Sequence, residues 1–256
     1  MKQVTFDFSE FVTDYYFKES FKTLRTNFLF SDVAVKTVLF TSCDMGEGKT
    51  TVCLGLGYSL SEMGKRVLIL DTDLRKSGIA AHYTDGAGVS GLSELLSGQA
   101  TLEDVLCHTQ KEGFDIIFAG KYPPNPVKLL GSESLKTYMA DFREKYDYVL
   151  VDASPLGLVV DSAVVGAVCD GAILVLASEK DKYRFAQAVV EQLKESGCRV
   201  LGIVLNHNGA KKRVEAYYRR DAYADKKEEK EEKKSGPFKR FFAALSGKFK
   251  RKNKSV

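Results

Sequence analysis

Thr37-Val-Leu-Phe-Thr-Ser-Cys-Asp-Met-Gly-Glu-Gly-Lys-Thr-Thr51 sets the architecture of the chain. Thr37 to Thr41 is an apolar run that reads as a strand, and Val52 to Met63 is helix-compatible. Strand, glycine-rich turn, Lys-Thr and helix is the plan of a phosphate-binding loop. Backbone N–H groups of Gly46, Glu47 and Gly48 line such a turn, and the helix N-terminus adds positive potential. Lys49 then reaches the outer phosphates. The Thr50 hydroxyl suits Mg²⁺, a hard cation that prefers oxygen and keeps several waters. Thr51 is a further phosphate-binding candidate. The G-x-x-x-x-G-K-[ST] spacing is met at Gly48, Lys49 and Thr50, with Cys43 where the first glycine normally stands.

The sequence has 256 residues, enough for one large α/β domain with accessories. Apolar residues make up 44% and charged residues 28%, as in a soluble globular protein. Met1 to Glu10 is polar and mixed in charge, unlike a signal peptide, and no apolar run is long enough to span a bilayer. Cys43, Cys53, Cys107, Cys169 and Cys198 are odd in number and lack metal-ligand spacing, so reduced thiols in a cytoplasmic protein are expected. His82, His108 and His207 are scattered, which points to structural or surface roles.

The net charge of +4 is unevenly distributed. Lys239, Arg240, Lys248, Lys250, Arg251, Lys252 and Lys254 stand in a C-terminal stretch without acids, so the rest of the chain is net acidic. An acidic body argues against a nucleic-acid partner. The tail also carries Phe238, Phe241, Phe242, Leu245 and Phe249 at helical spacing after Pro237. As a helix this is a basic amphipathic segment fit for an anionic membrane surface; docking on the protein's own body and a disordered basic end are the alternatives. Lys226 to Lys234 alternates lysine and glutamate blocks and reads as a mobile spacer. The expected division is 1–208 for the main domain, 209–237 for a tyrosine-bearing charged segment and 238–256 for the basic tail.

Asp14 to Phe30 reads as a helix with Tyr16, Phe17, Phe21, Leu24 and Phe28 on one side. Glu19, Lys22 and Arg25 recur beside that stripe, either as a solvated edge or as a contact between subunits. Arg66 to Leu70, Phe114 to Phe118, Tyr148 to Val151, Ala172 to Ala177 and Arg199 to Leu205 read as strands, nearly continuous in apolar character. Helical stretches at Pro126 to Lys145 and Tyr183 to Ser196 separate several of them. This alternation predicts an α/β fold, a mostly parallel sheet flanked by helices with its ligand at the carboxyl ends of the strands.

Two of those strand ends carry acids. Asp71 and Asp73 follow Leu70, and Asp152 follows Val151. Carboxylates beside a phosphate loop can hold Mg²⁺ and its waters, and one can accept a proton from a nucleophile. Asn206 ends a further strand, where its amide suits either a purine edge or a turn.

Together these residues resemble the bacterial tyrosine kinases of capsule and exopolysaccharide synthesis, from about Tyr16 to Asn208. Glu19 to Asn27 resembles the family's acidic-x-x-Arg-x-x-Arg helix, with Lys22 in the middle position. Met45 to Thr50 resembles its P-loop, Leu70 to Arg75 its second acidic motif, and Val151 to Pro155 its Walker B strand. Gly91 to Leu96 and Pro123 to Pro126 also look like family segments. Related partition and division-site ATPases commonly carry an extra lysine early in the loop, where this sequence has Asp44; that favours the kinase branch.

The resemblance implies a P-loop NTPase fold and an ATP- and Mg²⁺-dependent autokinase. Lys49 would neutralise the β/γ-phosphates. Asp73 and Asp152 would hold metal with Thr50, and Asp71 would be the base for a tyrosine hydroxyl. The acceptors would be Tyr217, Tyr218 and Tyr223, a smaller cluster than the family usually carries, on a neighbouring subunit of a homo-oligomer. Implied partners are a membrane adaptor of the polysaccharide co-polymerase type and a cognate tyrosine phosphatase. The implied location is cytoplasmic, recruited to the inner face of the cell membrane. A nucleotide-dependent ATPase switch or scaffold uses the same loop and carboxylates without tyrosine transfer.

Overall fold

The computed structural model describes residues 2–31, 35–84, 90–177 and 183–206. The elements follow in chain order as β1 (Lys2–Val4), α1 (Ser9–Thr13), α2 (Tyr15–Ser31), β2 (Thr37–Ser42), α3 (Lys49–Ser61) and β3 (Val67–Asp71). Next come α4 (Ile79–Tyr83), α5 (Leu92–Leu96), α6 (Leu102–Val105), β4 (Leu106–Thr109) and β5 (Phe114–Ile117). The rest are α7 (Pro126–Leu130), α8 (Glu133–Lys145), β6 (Tyr148–Asp152), α9 (Asp161–Gly166), β7 (Gly171–Ala177), α10 (Tyr183–Glu195) and β8 (Val200–Asn206).

The described strands form one sheet in the order β1-β4-β5-β3-β6-β2-β7-β8. Every neighbouring pair is parallel except β4 with β5. Strand β2 lies between β6 and β7, and all six of its residues are buried. Its side chains alternate between the two faces, as pleating requires. Val38 and Phe40 join an aromatic-rich core with α3 and the N-terminal segment, including Phe6, Phe8 and Phe11. Leu39 joins the opposite core with α5, α8, α9 and α10. Both faces are covered, which is why the inner strands read as continuous apolar runs.

The six expected strands and the helix at Asp14 to Phe30 are present within a residue or two of the expected bounds. The structure adds β1 and β4, short strands at one side of the sheet. It also divides the expected Pro126–Lys145 helix at Gly131 and Ser132, where the Ser132 hydroxyl accepts from the Leu135 N–H and begins α8. Helix α3 begins at Lys49, before the apolar run that predicted it.

Helix α2 rests directly on α3. Phe21 lies against Gly55, where a Cβ would come within 2.3 Å of the phenylalanine ring. Arg25 donates from Nη1 to the Ser59 carbonyl at 2.6 Å, and Lys22 pairs with Glu19 at 2.7 Å. The three residues of the expected subunit ladder are thus tied within the chain, Arg25 to the helix that starts at the phosphate loop. Tyr217, Tyr218, Tyr223 and the basic tail lie outside the described residues. Among the described residues, no helix is long and apolar enough to cross a membrane.

Candidate phosphoryl-transfer site

Ser42 ends β2 and Lys49 begins α3, so the intervening loop must reverse within a few residues. Gly46 and Gly48 take φ values of 74° and 86°, a left-handed conformation that glycine adopts without a Cβ penalty. Glu47 between them is buried, and its Oε2 accepts the Cys43 and Asp44 N–H groups, each at 2.8 Å. Its side chain therefore closes the loop on itself. Asn206, at the end of β8, donates from Nδ2 to the Glu47 carbonyl at 3.0 Å. The amide expected at a purine edge or a turn thus braces the phosphate loop.

The loop faces the carboxylates of two strands. Asp71 of β3 is in register with Asp152 of β6. Parallel neighbours in register direct their side chains to the same face, here the face carrying α3. Thr50 Oγ1 donates to Asp152 Oδ2 at 2.7 Å. Lys49 Nζ lies 3.5 Å from Asp73 Oδ2, 3.6 Å from Asp152 Oδ1 and 3.3 Å from Thr50 Oγ1. Asp73 donates its N–H to Asp71 Oδ1 at 3.2 Å and accepts the Lys76 N–H at 3.0 Å. Ser77 covers Asp71, donating its hydroxyl to Oδ2. Near the start of α3, the Tyr83 hydroxyl donates to Glu10 Oε2 at 3.1 Å.

Burial and charge set the proton affinities of the cluster. Asp71 is fully buried, and burial first, then the charge of Asp152, pushes its carboxyl upward; Ser77 and Lys49 only partly offset this. Burial likewise raises Asp152 against the opposing pull of Lys49 and Thr50. Burial alone would lower Lys49, but Asp152, Asp73 and Asp71 outweigh it and hold the ammonium charged.

A cavity of about 580 Å³ opens over this cluster, walled by Gly46, Lys49, Thr50, Asp73, Arg75 and Pro155 among others. Its chemistry fits a divalent cation carried with phosphates. The Asp152 Oδ1 is buried without a hydrogen-bond donor, and the Thr50 hydroxyl stands beside the same carboxylate. Among the described residues, no three His, Cys, Asp or Glu side chains form a metal cage. Mg²⁺ needs none, because it keeps waters and takes phosphate oxygens beside one or two protein ligands.

A family model described as an AAA domain matches residues 35–196. The tyrosine-protein kinase CpsD of Streptococcus agalactiae is 35% identical over 189 residues, covering 74% of this chain and 82% of that protein. The chain belongs to the bacterial tyrosine-kinase family. The kinase domain of the Escherichia coli tyrosine kinase ETK superposes on this kinase with a TM-score of 0.69 at 30% identity, covering 73% of this chain and 74% of that one. The chimerical protein CapA2B2 does so with 0.73 at 27% identity, covering 81% and 94%. A septum site-determining protein MinD from Pyrococcus horikoshii, complexed with Mg-ADP, gives 0.57 at 29% identity over 68% of this chain and 71% of that one.

In this kinase the expected Gly46, Gly48, Lys49, Thr50, Asp71, Asp73 and Asp152 converge beyond the carboxyl ends of the inner strands β2, β3 and β6. Three further residues shape the site, and the sequence assigns a role to none of them. Ser77 covers Asp71, Arg75 walls the cavity, and Asp161 holds Arg75 through a two-bond fork. Arg75 was visible as the end of the acidic motif. No local pattern marks Asp161, because its partner lies 86 residues away.

Proposed function

We propose that this kinase transfers the γ-phosphoryl group of ATP to tyrosine hydroxyls, including Tyr217, Tyr218 and Tyr223 of a neighbouring copy. The observation that carries the reading is the cluster of Lys49, Thr50 and Asp73 at the wall of one cavity of about 580 Å³, with Asp71 and Asp152 buried against them. Lys49, now resting between Asp73 and Asp152, turns to the β/γ-phosphates when nucleotide enters. Gly46 to Gly48 supply backbone donors. Thr50 and Asp152, with Asp73 through water, would hold Mg²⁺, whose charge offsets that gathering on the phosphate oxygens. Asp71 serves as base. Its burial favours the protonated form, which gives it more pull on a phenolic proton than an exposed carboxylate has. The Ser77 loop must part to admit that phenol, since Asp71 has no exposed surface.

The same reading gives the kinase a homo-oligomeric assembly with α2 at a subunit contact, a membrane adaptor that recruits it, and a phosphatase that resets its tail. Cycling between phosphorylated and bare tails would regulate capsular or exopolysaccharide synthesis or export. The phenylalanine-rich basic tail would lie on anionic lipid.

Purified full-length protein with γ-labelled ATP, with and without an adaptor's cytosolic segment, tests the reading by phosphosite mapping. Label on the three tail tyrosines, lost in Lys49→Met, is the expected result. Release of inorganic phosphate with no phosphotyrosine would overturn it in favour of an ATPase switch.

A further inference from the structure

Arg75 and Asp161 join two loops that frame the cavity. Arg75 lies in the loop after β3, beyond Asp71 and Asp73, whereas Asp161 begins α9 beyond the loop that follows Asp152. The guanidinium donates from Nε to Asp161 Oδ2 at 2.7 Å and from Nη2 to Oδ1 at 3.0 Å. This fork fixes the plane and direction of the arginine head. Its two ends differ in environment. The Asp161 side chain is 2% exposed, whereas that of Arg75 is 42% exposed. A simple tie between loops would have no reason to keep its cation at the wall of a phosphate cavity, where Arg75 stands.

The charges of the site make that position informative. Three cations, Lys49, Arg75 and Lys76, line the cavity against one acid, Asp73, and Lys49 is already held by Asp73 and Asp152, so Arg75 adds positive charge where an anionic group would lie. A transferring phosphoryl group spreads further negative charge over its three equatorial oxygens. Two of the five guanidinium N–H groups bind Asp161, leaving three for another acceptor. A planar fork held in place costs little reorganisation when that charge develops.

We propose that Asp161 is a positioning residue that presets Arg75 at the cavity, and that Arg75 contacts the γ-phosphoryl group during transfer. The tyrosine oxygen bonds to the γ-phosphorus as the bond to the β,γ-bridging oxygen breaks. ADP leaves with that electron pair, and the phenolic proton passes to the base. Arg75 takes no proton; it stabilises the oxygens of the moving group. The inference rests on the tyrosine-kinase reading above.

The test uses full-length protein as wild type, Arg75→Gln, Arg75→Lys, Asp161→Asn and the Arg75→Gln/Asp161→Asn double variant. Phosphotyrosine formation from γ-labelled ATP is timed, and ADP affinity is measured on the same preparations. Loss of one transition-state donor predicts about a 10²–10³-fold slower transfer in Arg75→Gln, with ADP affinity within about threefold of wild type. Arg75→Lys should recover part of the rate. Asp161→Asn should lose less than Arg75→Gln and nothing further in the Arg75→Gln background, because it acts through that side chain. Transfer by Arg75→Gln close to wild type, an equal fall in ADP affinity and rate, or additive losses in the double variant would overturn the proposal. If Asp161→Asn fails to fold, the two variants of half-exposed Arg75 still divide these outcomes through rate and ADP affinity. Wild-type protein that forms no phosphotyrosine defeats the kinase reading instead.

Discussion

Asp71 and Asp152 stand in register on adjacent parallel strands, both buried and both directed to the face that carries the phosphate loop. Burial disfavours both charges; the Asp152 carboxylate further raises Asp71, and Asp73 further raises Asp152. Lys49 relieves only part of this, because its Nζ lies nearer Asp73 and Asp152 and because Asp71 takes its direct donors from Ser77 and Asp73. The nucleotide-free site therefore holds a repulsion that function retains.

Asp71→Asn should separate stability from chemistry. Asparagine removes a carboxyl whose ionisation burial and the Asp152 charge both oppose, while the amide oxygen keeps an acceptor for Ser77 or for the Asp73 N–H. Calorimetry should find the nucleotide-free variant more stable by about 1 kcal/mol, or about 2–4 °C in Tm for a domain of this size. Phosphotyrosine formation should fall by about two orders of magnitude or more while MgATP binding persists. A lower Tm would show that Asp71 is a net stabilising residue, and a parallel loss of MgATP binding would make it chiefly a metal-site residue.

Lys49→Met should have the opposite effect on stability. The ammonium is the cation that Asp73 and Asp152 share, and a methionine leaves those buried acids without it. Denaturation without nucleotide should show a loss of about 1–3 kcal/mol, and phosphotyrosine should disappear. Unchanged stability would mean that the carboxylates are neutralised by protonation rather than by lysine. Unchanged phosphorylation would remove the assigned role of the loop.

The parts of this site that could be read from sequence are those made by neighbours in the chain. Gly46 to Thr50 follows a strand and opens a helix, and Asp71 and Asp152 sit where apolar runs stop. Glu47 was expected only as a loop member, because its carboxylate bonds to Cys43 and Asp44 depend on how the turn closes. Asn206 was singled out, but its bond to the Glu47 carbonyl depends on β8 lying at the sheet edge beside β7. Strand β4 was missed because it is short, alternates in burial and pairs antiparallel with β5, unlike the continuous runs inside the sheet. The break between α7 and α8 carried a legible signal, Gly131 followed by an N-cap serine and Glu133. The Arg75–Asp161 fork carried none, since loop closure brings the two together.

Asp170 provides a pH prediction away from the site. Its Oδ2 accepts the Lys36 and Thr37 N–H groups at 2.8 Å each, and Oδ1 pairs with Arg143 of α8. Burial alone would raise its proton affinity, but the Arg143 guanidinium and the Thr37 and Lys36 N–H groups more than reverse this and lower its pKa. A carboxyl lowered in the folded chain contributes stability above its ordinary value of 3.8 and loses it as pH falls through the native value. Asp170→Asn should therefore cost about 1 kcal/mol near neutrality, the bonds being partly solvated. The difference from wild type should shrink as pH falls below 3.8. A difference that stays constant through that range would mean that packing, not charge, makes the contribution.

Gly55→Ala tests whether α2 and α3 act as one unit. The new Cβ would meet Phe21 Cζ at 2.3 Å and Cε1 at 2.4 Å, so the ring or the helix must move. Phe21 has little freedom to yield, because it is 9% exposed and its ring centroid lies 4.6 Å from that of Phe17. Overpacking of this kind costs about 1–3 kcal/mol. Combining Gly55→Ala with Phe21→Leu should recover part of that loss, and a double-mutant cycle from urea denaturation measures the coupling. Because α3 begins at Lys49 and Arg25 of α2 bonds the Ser59 carbonyl, displaced α2 should also weaken MgATP binding. Light scattering on the same variants tests the proposed subunit contact through Glu19, Lys22 and Arg25. Loss of stability with no change in MgATP affinity would confine the α2–α3 contact to packing. An unchanged mass distribution, also in Glu19→Lys and Arg25→Glu, would return α2 to the solvated edge.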